Sequence, residues 1–180
     1  MKTQRLITLG LFGLTALYGA ATPASDYIYP SGSGVALNTK LLVHTTGYAK
    51  NFSAPLTLTA KGQVIAGKTE FSDSWIVFTP VQALQPNTSY TITVAYSTFT
   101  PSVATFITGT ATDTTPPQMV SSSPANLEDS PGFNKPVQLK FSKPLNPVSL
   151  ASAAPRIVNL SSNAVYSSTV NLLDATTVSL

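Results

Sequence analysis

At 180 residues with no cysteine, the chain has room for one or two small domains, and these must be held by apolar burial without disulfides. Its formal charge of +3 includes Lys2 and Arg5 of the leader; the remaining eight cations meet seven acids, a net of +1 scattered along the chain. That balance excludes a nucleic-acid partner, which needs clustered positive charge.

Residues 1–24 read as a secretory signal peptide. Lys2 and Arg5 precede the apolar run Leu6 to Leu17, and small residues follow at Gly19, Ala20, Ala21 and Ala24. Cleavage fits after either Ala21 or Ala24. The run is shorter than the roughly 18 to 20 residues a bilayer span requires, so no stable membrane span is expected after cleavage. The expected location is secreted or extracellular at the cell surface, with the periplasm as the alternative.

Beyond the leader no stretch repeats its apolar residues every 3.6 positions. Short alternating runs predict strands instead: Lys40 to Thr46, Leu56 to Thr59, Val64 to Ile65, Trp75 to Thr79, Tyr90 to Tyr96 and Ala104 to Thr110. Turn signals separate them at Lys61-Gly62, Gly67-Lys68, Ser72-Asp73, Pro86-Asn87 and Thr100-Pro101. In the first run Leu41, Val43 and Thr45 share the inward face and His44 points outward. Residues 25–112 form the first unit. Asp113-Thr-Thr-Pro-Pro117 is the linker (113–117), because successive prolines cannot sit in a central strand. They also stiffen the connection, which predicts a semi-rigid rod of two units.

Residues 118–180 start the same pattern again. Ile28-Tyr-Pro and Asn38-Thr-Lys-Leu-Leu-Val recur as Ser122-Ser-Pro and Asn134-Lys-Pro-Val-Gln-Leu-Lys-Phe-Ser. Val137, Leu139 and Phe141 match Leu41, Val43 and Thr45; Lys61-Gly-Gln-Val matches Ser162-Asn-Ala-Val; Asp73 matches Asp174. The second copy has no counterpart of Leu84-Gln-Pro-Asn-Thr-Ser-Tyr90 and the two strands around it. The expectation is therefore an N-terminal part of a longer repeat protein, with self-association through the incomplete unit as a further expectation.

At Leu84-x-Pro86-x-Thr88-x-Tyr90, Phe141-Ser-Lys-Pro-Leu145 and the Thr-Pro-Pro linker, the chain resembles the bacterial Ig-like domains of S-layer and other surface proteins. The family pattern also carries Phe-x-Pro, present as Phe78-Thr-Pro80, and Ser-Pro-x-Asn-Gly, where this chain has Leu127 in place of Gly. His44-Thr-Thr-Gly stands where Phe-Ser-x-Pro is usual. The resemblance implies an all-β fold of tandem immunoglobulin-like β-sandwich domains, the second truncated. It also implies a non-catalytic spacer or adhesive stalk with cell-surface polysaccharide or protein partners. The alternative is an accessory region of an exported enzyme, such as a polysaccharide-degrading one, whose catalytic domain lies beyond residue 180. Tyr90, after a Pro-Asn turn, is expected to close a tyrosine corner.

The residues offer no catalytic constellation. His44 is the sole histidine and has no acidic neighbour or Gly-x-Ser-x-Gly elbow; without a second histidine or a cysteine it cannot build a copper site. Glu70 with Asp73 and Glu128 with Asp129 are close acid pairs, but each sits at a turn signal. Asp113, with Asp26 and Glu128-Asp129, leaves a calcium site at the junction open, though nothing resembles Asp-x-Asp-x-Asp. No catalytic residue, metal or cofactor is assigned. Asn51, Asn87 and Asn159 match the N-glycosylation triplet. Trp75 is expected in a core, and Tyr27, Tyr29 and Tyr48 are the candidates for an exposed aromatic patch.

Overall fold

The computed structural model describes residues 27–45, 56–95, 101–128, 132, 134–153 and 156–180. The signal segment, Asp26, Tyr48, Asn51, Tyr96 and Asp129 lie outside the described residues. The fold is an all-β sandwich with one short helix.

In the first unit β1 (Tyr27–Tyr29), β3 (Leu41–His44), β6 (Gly67–Ser72) and β7 (Trp75–Pro80) form an antiparallel sheet in the order β1-β3-β7-β6. The second sheet runs β2-β9-β8-β4-β5, from β2 (Gly32–Val35), β4 (Leu56–Ala60), β5 (Gln63–Val64), β8 (Ser89–Val94) and β9 (Ser102–Thr108). The chain changes sheets between Tyr29 and Gly32, and β2 lies parallel to β9. Gly32 and Gly34 take φ of +79° and +76° there, a left-handed backbone that side chains disfavour.

Alternation within the strands builds the core. Leu41, Val43, Ile76 and Phe78 from the first sheet meet Leu56, Leu58, Tyr90, Ile92, Val94 and Phe106 from the second, in one cluster with Leu84. Each such side chain contributes about 2 kcal/mol by leaving water. Tyr90 stacks on Phe106 with ring centroids 5.2 Å apart.

The tyrosine corner is made. The Gln85 backbone N–H donates to the Tyr90 hydroxyl at 2.8 Å. Beneath it the buried Thr108 hydroxyl donates to Gln85 O at 2.6 Å and accepts from Thr88 N at 2.9 Å. Asn87 supplies the turn with φ of +48°, a conformation Asn tolerates better than most residues.

The second unit repeats the first sheet. Here β10 (Met119–Ser123), β11 (Gln138–Phe141), β14 (Asn171–Asp174) and β15 (Thr177–Ser179) pair in the order β10-β11-β15-β14, matching β1-β3-β7-β6 position for position. The bond that closes each sheet is also repeated: Thr45 N donates to Ser74 O, and Phe141 N to Thr176 O, both at 2.9 Å. A hairpin of β12 (Arg156–Val158) and β13 (Val165–Ser167) corresponds to β4 and β5, with Asn163 at φ +56° where the first unit has Gly62 at +75°. Leu127 takes a left-handed backbone at φ +62°, the region that favours glycine, and is 90% exposed.

Among the described residues, counterparts of β2, β8 and β9 are absent from the second unit. Consequently, among the described residues, its buried hydrophobic side chains are Ala175 and Val178, and Leu139, Phe141 and Leu180 stay half-exposed.

One element escaped the sequence reading. Helix α1 (Pro147–Ala153) follows Asn146, whose side-chain oxygen accepts from Val148 N at 3.0 Å. Asn before Pro is an N-cap followed by the favoured first helical residue, and that was the available signal. The short strands β1, β2 and β6 also lay outside the predicted runs.

Two outcomes test this account. Tyr90→Phe leaves the Gln85 N–H unpaired and should lower stability by about 1 to 2 kcal/mol, read as a lower urea midpoint at unchanged slope. A fragment of residues 27–112 should unfold in one sharp urea transition, whereas 118–180 alone should show none; a sharp transition in the latter would overturn the conclusion that it lacks its own core.

Candidate functional site

The outward positions of the first sheet are unusually rich in rings. The register aligns Tyr27 with His44, His44 with Trp75 and Trp75 with Ser72, one row across four strands. The His44 and Trp75 rings lie 4.7 Å apart, and Tyr27 meets Trp75 edge-on at 6.0 Å. The next row brings Tyr29, Leu42, Val77 and Glu70 together. Burial, then the charges of Tyr29 and Asp174, push the Tyr27 phenol above its usual pKa. His44 is thus a ring in an aromatic row.

This face is covered by the second unit. Leu42, Trp75 and Val77 cluster with Ala175 of the β14–β15 turn, and Tyr29, Val148 and Leu172 pack against them. Helix α1 lies on β6 and β7. The proline linker therefore does not hold the units apart as a rod; the second unit docks on the outer face of the first sheet. Trp75 is 4% exposed, as a core residue would be, but it belongs to this seam and not to the cluster between the sheets. A small cavity of about 100 Å³ between the β6–β7 turn and α1 borders it. Of the tyrosines expected to be exposed, Tyr27 is 40% exposed and Tyr29 is half-buried.

A polar clamp fixes the linker beside the seam. Asn38 and Asp113 bond reciprocally, Asn38 Nδ2 to Asp113 O at 2.8 Å and Asp113 N to Asn38 Oδ1 at 2.9 Å. Lys143 Nζ donates to both Asp113 carboxylate oxygens, at 2.7 and 2.5 Å, and to Thr115 O at 2.9 Å. The Thr115 hydroxyl donates to Asp113 Oδ1 at 2.7 Å. Lys143 is the lysine of the Phe-Ser-Lys-Pro motif, so one motif residue ties the second unit to the linker. Sequence reading singled out Asp113 but missed both partners, since Asn38 is 75 residues away.

The clamp also bears on calcium. The carboxylate of Asp113 is engaged by Lys143 and Thr115, while Glu128 accepts from Ala125 N at 2.7 Å and from Lys135 at 2.5 Å. Asp113 thus serves the clamp and Glu128 its own loop. Among the described residues, no group of three or more His, Cys, Asp or Glu gathers as a metal site. Glu70 pairs with Lys68 at 2.9 Å, and Asp73 holds the β6–β7 turn at φ +50°. Asn87 and Asn159 are both exposed in turns.

Between the clamp and β1–β3 lies a cleft of about 340 Å³, lined by Tyr29, Asn38, Lys40, Thr115, Lys143 and Asn146 among others. Residues of both units line it.

Hydrogen bonds from Lys143 and Thr115 lower the Asp113 pKa from 3.8 to about 2. A depressed carboxylate adds stability above its unfolded value and loses it as pH falls through the folded one. The seam should therefore hold above pH 4 and loosen between about 4 and 2, read as a change in Trp75 emission. Asp113→Asn should remove that step; an identical acid profile in the variant would show that the clamp does not hold the seam.

The chain matches no protein-family model, and no curated protein matches it.

Proposed function

We propose that the chain is a non-catalytic, exported module of tandem immunoglobulin-like sandwiches, serving as a spacer or adhesive stalk at a cell surface. The observation that carries this reading is the duplicated sheet, β1-β3-β7-β6 and β10-β11-β15-β14, in which strand order and closing hydrogen bond both repeat. Duplication of a scaffold extends length and surface, which suits a spacer, whereas catalysis needs a convergent site. The β2-β9-β8-β4-β5 order and the Tyr90 corner support the immunoglobulin-like assignment. The signal-like leader supports export, and the half-exposed apolar residues of the second unit support its association with further β structure.

Immunoblotting of host cell fractions, with protease shaving of intact cells, tests the reading. The expected result is a protease-accessible species in the surface or culture fraction. A species confined to the cytoplasm would overturn it, and a coding sequence running on into a catalytic domain would replace it with an accessory region of an exported enzyme.

A further inference from the structure

The clamp cleft has the makings of a ligand site. Its volume of about 340 Å³ falls at the lower end of the roughly 300 to 1,000 Å³ typical of small-ligand sites, and such sites favour domain junctions. Its walls are held in place by the Asn38–Asp113 pair on one side and by Lys143 and the Asn146-capped helix on the other. A preformed site loses little affinity to ordering.

The chemistry of the lining narrows the ligand. Tyr29, with Leu145, offers an apolar wall, the surface that the C–H face of a sugar ring packs against. Thr39, Thr115 and the Asn146 amide offer hydroxyl and amide groups around it. Asn146 Oδ1 is occupied by Val148 N, which leaves its N–H groups as donors. The charge of Lys143 is met by Asp113, but among the described residues no ion pair engages Lys40. The cleft is therefore positive by one charge, carried by Lys40 at its rim.

We infer that this cleft binds an acidic saccharide, with Lys40 on a sugar carboxylate and Tyr29 beneath the ring. The assignment rests on the surface-module reading and names a ligand class for it.

Calorimetric titration of the full chain with a linear galacturonic acid trisaccharide, and with the neutral galactose trisaccharide, provides the test. The acidic sugar should bind saturably and the neutral one at least about tenfold more weakly, the factor expected for losing one charge-assisted hydrogen bond. Lys40→Ala should weaken the acidic sugar by a similar factor, while Lys61→Ala, an equal loss of charge on the distant β4–β5 turn, should leave it unchanged. Raising the salt concentration should weaken binding in the parent chain more than in Lys40→Ala. Absence of saturable binding, equal binding of the two sugars, or equal effects of the two lysine variants would overturn the assignment. None of those outcomes touches the surface-module reading, which stands or falls on cell fractionation.

Discussion

Strand β7 is buried on both of its faces, and the arrangement of the two units depends on that. Its inward residues Ile76 and Phe78 close the sandwich, and its outward residues Trp75 and Val77 form the seat for the second unit. A strand of an ordinary antiparallel sandwich has one wet face, and its sequence alternates accordingly. The run Trp-Ile-Val-Phe has no polar alternate, so one face had to find cover beyond the first unit. Ala175, Val148 and Leu172 provide it. Gly67 on β6 meets the same strand from the side. A Cβ there would come within 2.1 Å of the Phe78 ring, so the neighbouring strand leaves that ring the space it needs.

The two units are unequal partners in this packing. The first has a full cluster drawn from two sheets, which includes a buried, hydrogen-bonded corner. The second has one sheet and a hairpin, and its most deeply buried apolar residue lies against the first unit. Much of the order in the second unit is therefore borrowed across the seam, and the Asp113–Lys143 clamp adds a polar tie at the point where the linker leaves the first sandwich. An exposed ion pair of this kind is weak by itself; its contribution is to orient a contact that apolar burial drives.

The sandwich was legible because two-residue alternation and turn residues are local signals. Leu56 to Thr59 and Trp75 to Thr79 appear as strands almost where their patterns place them. The tyrosine corner was legible for the same reason: Gln85 and Tyr90 are five residues apart. The short strands β1, β2 and β6 were not, since Tyr-Ile-Tyr, Gly-Ser-Gly-Val and the polar run through Lys68 and Glu70 carry little alternation. The seam was illegible for a different reason. Alternation says which residues share a face, but not what lies opposite; Trp75 looked like core because it sits in an apolar strand. The clamp depends on Asn38 meeting Asp113 across the whole first unit, and no local pattern encodes that.

The parallel pairing of β2 with β9 has a mechanical meaning. These strands lie near the two ends of the first unit, and Gly109 N adds a further bond to Val35 O at 2.8 Å. When the ends of the unit are drawn apart, β2 is pulled one way and β9 the other along their common direction. Their hydrogen bonds are then loaded in shear and must fail together, whereas strands peeled apart from one end lose them singly. The seam with the second unit has no such ladder and would part first under the same load. The molecule would thus lengthen by undocking while its sandwich stays folded.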